Sequence, residues 1–348
     1  MNIVMFLIVL SILVFVHELG HFLVARYYGV NVKHFSIGFG PRLITKYWKG
    51  TNWSISLIPL GGYVQMKGQE DLNPAKRSQD PDSYSILTPF QKIMILLAGP
   101  FANFLLAFVL YFTIGIMEHK ELSSQIGAVT KDMPAYKAGI KPKDIIVRIN
   151  NQDIVTWDDL KEAIGNSQGA IKVYVKRDGR IRAFRVYPKI TKTKNIFNED
   201  IYKRMIGIAP GGFITVSYNI LDSFSYAWDK TIQASSLIFQ SIQKLIQGII
   251  PSSEIGGVIS IGKVISDASN TGIIALLMIS ALISVNLGVL NLLPIPALDG
   301  GHIMFNLYEM VTKKAPSEKV LVQLTIGGWI VLFGIMGLGL YNDINRFF

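Results

Sequence analysis

The sequence predicts a polytopic α-helical membrane protein with four transmembrane helices, a membrane-associated β element and one inserted α+β domain. Of its 348 residues, 50% are hydrophobic and only 17% are charged, which is too apolar for an ordinary soluble protein. Four apolar stretches each approach the ~20 residues that cross a bilayer as a helix. A more polar segment between the second and third stretches alternates short strands with turns, which is typical of a small folded domain.

The apolar stretches lie at approximately residues 3–25, 93–117, 273–293 and 320–340. We do not expect the first to be a cleaved signal peptide, because no basic segment precedes it, its apolar core is too long and no A-x-A site follows it. The first pair belongs to a predicted membrane region at 1–117, and the second pair to another at 271–348.

The short loops predict how these stretches are oriented. Lys and Arg are concentrated between the first two stretches and between the last two, which places both loops in the cytoplasm by the positive-inside rule. Both termini and the long central segment are then predicted to lie outside the cytoplasm. In this context the net charge of +10 indicates topology and anionic lipid, and no nucleic-acid-binding module is recognisable.

The central segment at 121–190 is predicted to be the inserted domain. The stretches "INNQDI" and "KRDGRI" predict hairpin turns, because Asn, Asp and Gly tolerate positive φ. The stretch "TWDDLKEAI" predicts a helix capped by Thr156. The segment resembles a PDZ domain, especially in "PAYKAGIKPKDIIVRINNQDI", although Lys143 stands where such domains usually have Gly before the Asp.

Residues 34–66 predict a β element next to the first apolar stretch. Two β-favouring runs flank a "KGT" turn, and Gly38, Gly40, Gly61 and Gly62 permit close backbone approach. Non-helical backbone near a membrane must be buried in protein or line a wet cavity. We therefore predict a sheet that re-enters the membrane domain from the cytoplasmic side and offers its edge to an extended peptide. An ordinary cytoplasmic hairpin is the alternative.

Residues 215–250 predict one long amphipathic helix with a single apolar stripe. The sequence leaves two placements open, along the membrane interface or packed on the transmembrane helices. The polar loop that contains Glu70 and Asp71 shows no recognisable chemistry, and both carboxylates are expected to be solvated.

The stretch "VFVHELGHFL" places ionisable groups in the first apolar helix, where they are costly without a function. His17 and His21 are four residues apart and therefore share one helix face. Two neutral imidazoles in this arrangement can bind Zn²⁺, with Glu18 placed to move a proton of water. The alternative is a pair of histidines buried against other polar groups.

A third metal ligand is expected, because catalytic zinc usually has three protein ligands and one open position. The chain has no Cys, so this ligand must be His, Asp or Glu. Asp299 in "NLLPIPALDGGH" is the candidate and is predicted to close the third apolar helix, which Pro294 and Pro296 would break. A glycine pair follows, and His302 beyond it is a less favoured ligand with an expected structural role.

Two further polar residues, Asn286 and Asn291, precede Asp299 on the third apolar helix. Their amides can hydrogen-bond a peptide backbone or a developing oxyanion, or they can join neighbouring helices.

The distance from Ile3 to His17 is ~21 Å of helix, so the metal is predicted to lie within the bilayer near its cytoplasmic face.

Taken together, "HELGH", "GFGP", "PLGGYV", "AGPFAN" and "NLLPIPALDGGH" resemble the bacterial site-2 protease family of intramembrane zinc metalloproteases. The resemblance covers nearly the whole chain. It implies His17, His21 and Asp299 as zinc ligands and Glu18 as the catalytic base. The chain departs from the family in having one recognisable PDZ domain where some relatives have two, and in having Gly257 where a Pro is expected.

The resemblance also implies a substrate and a location. Asn286, Asn291 and the β element would hold a single-span membrane protein in an extended form after another protease has trimmed it. The protein would lie in the inner membrane of a bacterial cell, surrounded by lipid, with its PDZ domain outside the cytoplasm and able to exclude untrimmed substrates. The alternatives are a metal transporter and a non-catalytic PDZ scaffold.

Overall fold

The computed structural model describes residues 2–69 and 78–348, so the predicted solvated carboxylates Glu70 and Asp71 lie outside the described residues. The elements run in chain order as α1 (Ile3–Tyr27), β1 (Val32–Trp48), β2 (Thr51–Met66), α2 (Pro89–Ile116), β3 (His119–Leu122), β4 (Ile126–Val129), α3 (Pro134–Lys137), β5 (Ile145–Ile149), β6 (Gln152–Asp153), α4 (Trp157–Gly165), β7 (Ile171–Arg177), β8 (Arg180–Val186), β9 (Lys189–Lys194), β10 (Asp200–Met205), β11 (Ile208–Pro210), β12 (Phe213–Val216), α5 (Ile220–Ile246), α6 (Val258–Thr271), α7 (Ile273–Asn291), α8 (Asp299–Thr312) and α9 (Glu318–Phe347).

The chain divides into two compact units. The first combines Met1–Ile114 with Ile220–Phe348 and is called the membrane unit here, and the second, Gly115–Asn219, is called the inserted unit. In the described part of the chain, four helices are long and apolar enough to cross a membrane, namely α1, α2, α7 and α9. The four predicted apolar stretches are therefore helices of sufficient length and hydrophobicity to be spans. The structure extends the fourth, because α9 continues to Phe347.

Helices α1 and α2 approach each other closely at small residues. A Cβ added at Gly20 of α1 would overlap the Ala98 carbonyl oxygen and lie 2.9 Å from Ala102 Cβ on α2. Small residues allow such contact between membrane helices, where dispersion and hydrogen bonds replace the hydrophobic effect as the driving force. Nearer its start, α1 buries Leu13 in a cluster with Ile265 of α6. The membrane unit is therefore built around α1.

Helix α5 packs on the spans through its small residues. Its buried face consists of Ser223, Ala227, Thr231 and Ala234, and its two alanines join a cluster formed with α2 and α7. Its large apolar residues are exposed on the other side and include Phe224, Trp228, Ile232 and Phe239. Of the two placements that the sequence leaves open, the structure shows the packed one, and the predicted apolar stripe faces away from the protein.

Helix α6, which the sequence did not predict, is capped by a residue from another span. Its first turn has no local side-chain cap, and Asp343 of α9 accepts hydrogen bonds from the backbone N–H groups of Gly257, Ile259 and Ser260 at 2.9–3.0 Å. A Cβ at Gly257 would lie 2.7 Å from the Asp343 carboxylate, which explains why a residue without a side chain stands at this place. Asn342 also binds the carbonyl of Ser252.

The predicted β element is an antiparallel pair of long, bent strands, β1 and β2. The turn predicted in "KGT" is present, with positive φ at Lys49 and Gly50. Phe35 of β1 faces Val64 on one side and Trp53 on the other, so the first part of β1 lies between the two ends of β2. The Phe35 ring is buried and stacks on Trp53 at 4.5 Å between centroids.

The inserted unit contains a four-stranded antiparallel sheet in the order β6–β5–β7–β8, with α4 packed on its core. Both predicted hairpin turns are present, with positive φ at Asn150 and at Asp178 and Gly179. Thr156 caps α4 in a capping box with Asp159, as predicted. The unit extends beyond the predicted 121–190, because β11 and β12 return to pair with β4 and β3.

Lys143 has a backbone conformation that favours glycine. Its φ is +73°, in the left-handed region where an L side chain costs roughly 1–2 kcal/mol. Glycine would adopt this conformation without that cost. The Asp itself, Asp144, follows directly and is buried.

Asp144 and Arg177 form a buried ion pair in the inserted unit. The guanidinium donates to both carboxylate oxygens at 2.6 Å, and its Nη2 also donates to the Gly139 carbonyl at 2.8 Å. Burial alone would raise the pKa of Asp144, but the hydrogen bonds from Arg177 and from the Lys141 N–H outweigh it and hold the pKa below the ordinary 3.8. The pair therefore stabilises the unit above about pH 4.

We expect Arg177→Met to reduce the stability of the inserted unit by about 3 kcal/mol at neutral pH, because it leaves a buried carboxylate without its partner. Hydrogen exchange of backbone amides in residues 115–219 of the whole protein measures this change. Because the folded pKa is depressed, wild type should lose the contribution as the pH falls through that pKa, and the two proteins should converge. Arg148→Met is the control, since its pair with Asp153 is exposed and should contribute at most about 1 kcal/mol. Equal losses in both variants would contradict the prediction.

Candidate metal centre

Two histidines of α1 face the interior of the membrane unit from consecutive turns. The Nε2 atoms of His17 and His21 lie 3.1 Å apart, and the two rings are nearly perpendicular at 4.7 Å between centroids. His21 is buried, whereas His17 and Glu18 are partly exposed. The four-residue spacing on a helix therefore brings the imidazoles together as the sequence predicts.

Asp299 reaches the same point from the opposite side of the unit. It is the first residue of α8, not the last residue of the third span as predicted, because α7 already ends at Asn291. The connecting segment contains both prolines, and a Cβ at either Gly300 or Gly301 would overlap the backbone of that segment. The glycine pair thus lets the chain fold back sharply enough to direct the Asp299 carboxylate at the histidines.

The distances among the three side chains fit a tetrahedral metal site. Asp299 Oδ2 lies 3.3 Å from His17 Nε2 and 3.4 Å from His21 Nε2. At zinc–ligand distances of ~2.0–2.1 Å, neighbouring ligand atoms of a tetrahedron lie ~3.3 Å apart. Among the described residues, these three side chains form the group that can hold a metal ion.

The hydrogen bonds around the histidines also favour a cation. The Ile95 carbonyl oxygen lies 2.8 Å from His21 Nδ1 and can only accept, so Nδ1 carries a proton, and in the neutral form of the ring Nε2 would direct a lone pair at the cluster. Asp299 Oδ2 is buried and has no hydrogen-bond donor among the described residues. Lone pairs that face one another at these distances repel unless a cation lies between them. The donor set, two imidazoles and one carboxylate, suits zinc.

Gly99 of α2 makes room for both histidines. A Cβ added there would overlap His21 Nε2 and lie 2.8 Å from His17 Cε1. The backbone of α2 therefore forms one wall of the site. Any side chain at position 99 would occupy space that the imidazoles need.

A cavity of about 240 Å³ opens next to the three side chains. Glu18 lines it together with residues from the sheet, the spans and α8, among them Gly62, Tyr63, Val64, Met66, Leu96, Asn291, His302, Thr325 and Trp329. A Cβ at Gly62 would lie 3.3 Å from Glu18 Cγ, so β2 lies directly against this part of α1. The Glu18 carboxylate, the metal-binding cluster and strand β2 therefore surround the same cavity.

The strand segment 62–66 borders this cavity with an unpaired edge. It pairs with β1 on one side, and in the described ranges no strand pairs with its other side. Unpaired strand edges bind extended chains through backbone hydrogen bonds. Four residues of this segment, Gly62, Tyr63, Val64 and Met66, line the cavity beside His17 and His21, so a peptide added here would lie next to the histidines.

Of the other predicted site residues, some line the cavity and others lie outside it. Asn291 lines the cavity, whereas Asn286 is partly buried on α7 and does not line it. Gly62 is at the cavity, whereas Gly38, Gly40 and Gly61 have positive φ at bends of the sheet and lie outside the lining. His302 lines the cavity and packs edge-on against Phe305.

Two residues of α2 were missed by sequence reasoning, Gly99 and Asn103. Asn103 is fully buried, and its amide lies 3.2 Å from His17 Nδ1. Ile95, Gly99 and Asn103 are spaced by four residues and therefore form one stripe on α2. A small residue and an amide on such a stripe inside an apolar span were the available signal, since both favour close helix contacts in membranes.

The chain is similar to known proteins over nearly its whole length. Residues 5–335 match the family described as Peptidase family M50. A Campylobacter jejuni protein named "Putative zinc metalloprotease Cj1068" is 44% identical over 97% of this chain and 92% of its own length. A "Putative zinc metalloprotease" of Helicobacter pylori strain J99 is 39% identical over 97% of this chain and 98% of its own. "Metalloprotease MmpA" of Caulobacter vibrioides is 32% identical over 98% of this chain and 94% of its own.

Proposed function

Because the chain is a zinc metalloprotease of peptidase family M50, the site-2 protease family, we propose that it cleaves peptide bonds inside the transmembrane segments of single-span proteins. The observation that carries this proposal is the position of the metal-binding cluster on α1. This helix is long and apolar enough to cross a membrane, and two of the three candidate ligands belong to it. Chemistry at this point would take place within the bilayer.

We assign His17, His21 and Asp299 as the zinc ligands and Glu18 as the general base. Zinc held by these three residues would lower the pKa of water toward ~7 and would polarise the scissile carbonyl. Glu18 accepts the proton of the attacking water and passes it to the nitrogen of the leaving amine. The cavity beside Glu18 has a volume of about 240 Å³, which is large enough for a short stretch of peptide backbone.

The substrate must reach this cavity in an extended form, because the carbonyls of an intact helix are occupied by their own hydrogen bonds. The unpaired edge at 62–66 compensates the backbone groups of an unwound segment, which would otherwise be costly in lipid. Asn291 lies at the same cavity and can hydrogen-bond the backbone on its other side. Asn286 and the bend glycines Gly38, Gly40 and Gly61 then act by shaping α7 and the sheet.

The inserted unit acts in this proposal as a PDZ domain outside the cytoplasm of a bacterial cell, with the spans in the inner membrane. A cleft of about 650 Å³ lies between α4 and the segment 202–208. A folded domain inserted in the chain between Ile114 and Ile220 can exclude bulky proteins, so the enzyme would accept substrates that another protease has trimmed. Deleting the unit should then abolish the preference for trimmed substrates.

The test is cleavage of a purified single-span substrate by the whole protein in detergent. We expect cuts inside the apolar segment, located by mass spectrometry, and faster cleavage when glycines weaken the substrate helix. Removing zinc with a chelator should stop cleavage, and adding zinc back should restore it. A substrate with the same flanking sequences and a poly-leucine span is the control for helix unwinding.

Two results would contradict the proposal. Cuts confined to the flanking sequences would indicate a metalloprotease that acts outside the bilayer. No cleavage across several helix-weak substrates, with zinc bound, would favour transport of metal, which flux measurements in liposomes would then detect.

A further inference from the structure

Helix α2 contacts both metal-binding histidines through one stripe of residues. Its Ile95 carbonyl accepts from His21 Nδ1 at 2.8 Å, and its Asn103 amide lies 3.2 Å from His17 Nδ1. Gly99 stands between them, and a Cβ added there would overlap His21 Nε2 and lie 2.8 Å from His17 Cε1. The antiparallel course of α1 and α2 thus gives each imidazole a partner behind the metal site.

The proton on His17 Nδ1 requires an acceptor. His17 Nε2 faces His21 Nε2 and Asp299 Oδ2, so Nδ1 must carry the proton if the neutral ring is to bind a metal. Asn103 is fully buried, and its Oδ1 has no hydrogen-bond partner among the described residues, while its Nδ2 faces the ring. Two donors would then face each other. The O and N of an amide exchange places by a 180° turn, and this turn both satisfies Oδ1 and provides the acceptor.

We propose that Asn103 accepts a hydrogen bond from His17 Nδ1–H and holds this imidazole in the tautomer and orientation that direct Nε2 at the metal. This inference rests on the proposed function, because it takes His17 to be a zinc ligand. Asn103 touches neither metal nor substrate and is a positioning residue. Outer partners of this kind typically change metal affinity by ~10–100-fold when they are removed.

The backbone of Asn103 is itself fixed by a third helix. Ser284 of α7 is fully buried and donates its hydroxyl hydrogen to the Asn103 carbonyl at 2.7 Å. Helix α7 therefore fixes the turn of α2 that orients His17, and the segment that follows α7 leads to Asp299 at the start of α8. A buried amide in an apolar span is costly unless it forms hydrogen bonds, and the bond from His17 Nδ1–H to Asn103 Oδ1 would provide one.

The test compares zinc affinity among Asn103→Leu, Asn103→Asp and wild type, by competition with a chromophoric chelator on the whole protein in detergent. We expect the Leu variant to bind zinc ~10–100-fold more weakly, because Leu has a similar size and no acceptor. The Asp variant retains an acceptor and should stay within about threefold of wild type. Ser280→Ala is the matched control, since it removes a buried hydroxyl of α7 that bonds only within its own helix. If Asn103→Leu does not fold, Asn103→Ala replaces it.

Absorption of the cobalt-substituted proteins provides a second measurement, because ligand-field bands report the geometry of the site apart from activity. We expect shifted bands for Leu and bands like wild type for Asp. Wild-type zinc affinity in the Leu variant, or equal loss in Leu and Asp, would overturn the role of Asn103 and leave the zinc site intact. A wild-type protein that binds no zinc would overturn the zinc site itself.

Discussion

Glu18→Gln should reduce cleavage by ~100- to 10,000-fold and leave zinc bound. Glutamine has the size and shape of glutamate but cannot accept the proton of the attacking water, and general bases typically contribute rate factors of this order. Glu18 lines the cavity next to the histidines without belonging to the group of candidate ligands. The rate constant of cleavage should therefore fall in the variant, while its zinc content and substrate affinity stay close to those of wild type.

Single-turnover cleavage and zinc content, measured on the same preparation, check this expectation. Glu309→Gln is the matched control, because it makes the same chemical change on α8, ten residues beyond Asp299 and outside the cavity lining. Loss of zinc together with activity would mean that Glu18 holds the metal or the fold. Full activity in Glu18→Gln would assign the base to another residue.

Gly99→Ala should abolish zinc binding and cleavage together, although it adds a single methyl group. The added carbon would overlap His21 Nε2 and lie 2.8 Å from His17 Cε1. Either the rings must turn or α2 must move away from α1, and neither is cheap in a closely packed interior. Both responses displace ligand atoms by more than the few tenths of an ångström that a zinc site tolerates.

Zinc content and thermal stability separate the two possible responses of the Gly99→Ala variant. If the histidine rings turn, the apo variant should be about as stable as the wild-type apo protein. If α2 moves away from α1, the apo variant should be less stable. Gly337→Ala is the control, since a Cβ at this position of α9 meets nothing within 4 Å and alanine favours a helix by up to ~1 kcal/mol. A zinc-replete, active Gly99→Ala protein would contradict the close approach of α2 to the histidines.

The sequence predicted those parts of the site that depend on neighbouring residues in the chain. His17 and His21 share a face because four residues nearly complete a helical turn. The glycine pair after Asp299 indicated a sharp return of the chain, which the structure shows, although the aspartate begins a new helix. Such features follow from local geometry and need no knowledge of which helices pack together.

Features that depend on the pairing of helices were not predicted. The contacts of Gly99 and Asn103 with the histidines exist only because α2 packs against α1, which the sequence does not show. Helix α5 shows why the periodicity predicted an amphipathic helix but not which of its faces packs on the protein. In water the large apolar residues of an amphipathic helix face the protein, but the spans of a membrane protein are joined through small residues. The stripe that defined α5 in the sequence, with Trp228 at its middle, is therefore the exposed one.

The carboxylate of Asp343 gives the protein an order of assembly. During synthesis, Gly257 and the first turn of α6 leave the ribosome 86 residues ahead of the side chain that accepts their hydrogen bonds. Backbone N–H groups without an acceptor are costly in lipid, so we expect this turn to stay open to water until α9 has entered the bilayer. We therefore expect the last span to complete the fold of an earlier segment, so that insertion ends with a step that closes the membrane unit from its C-terminal end.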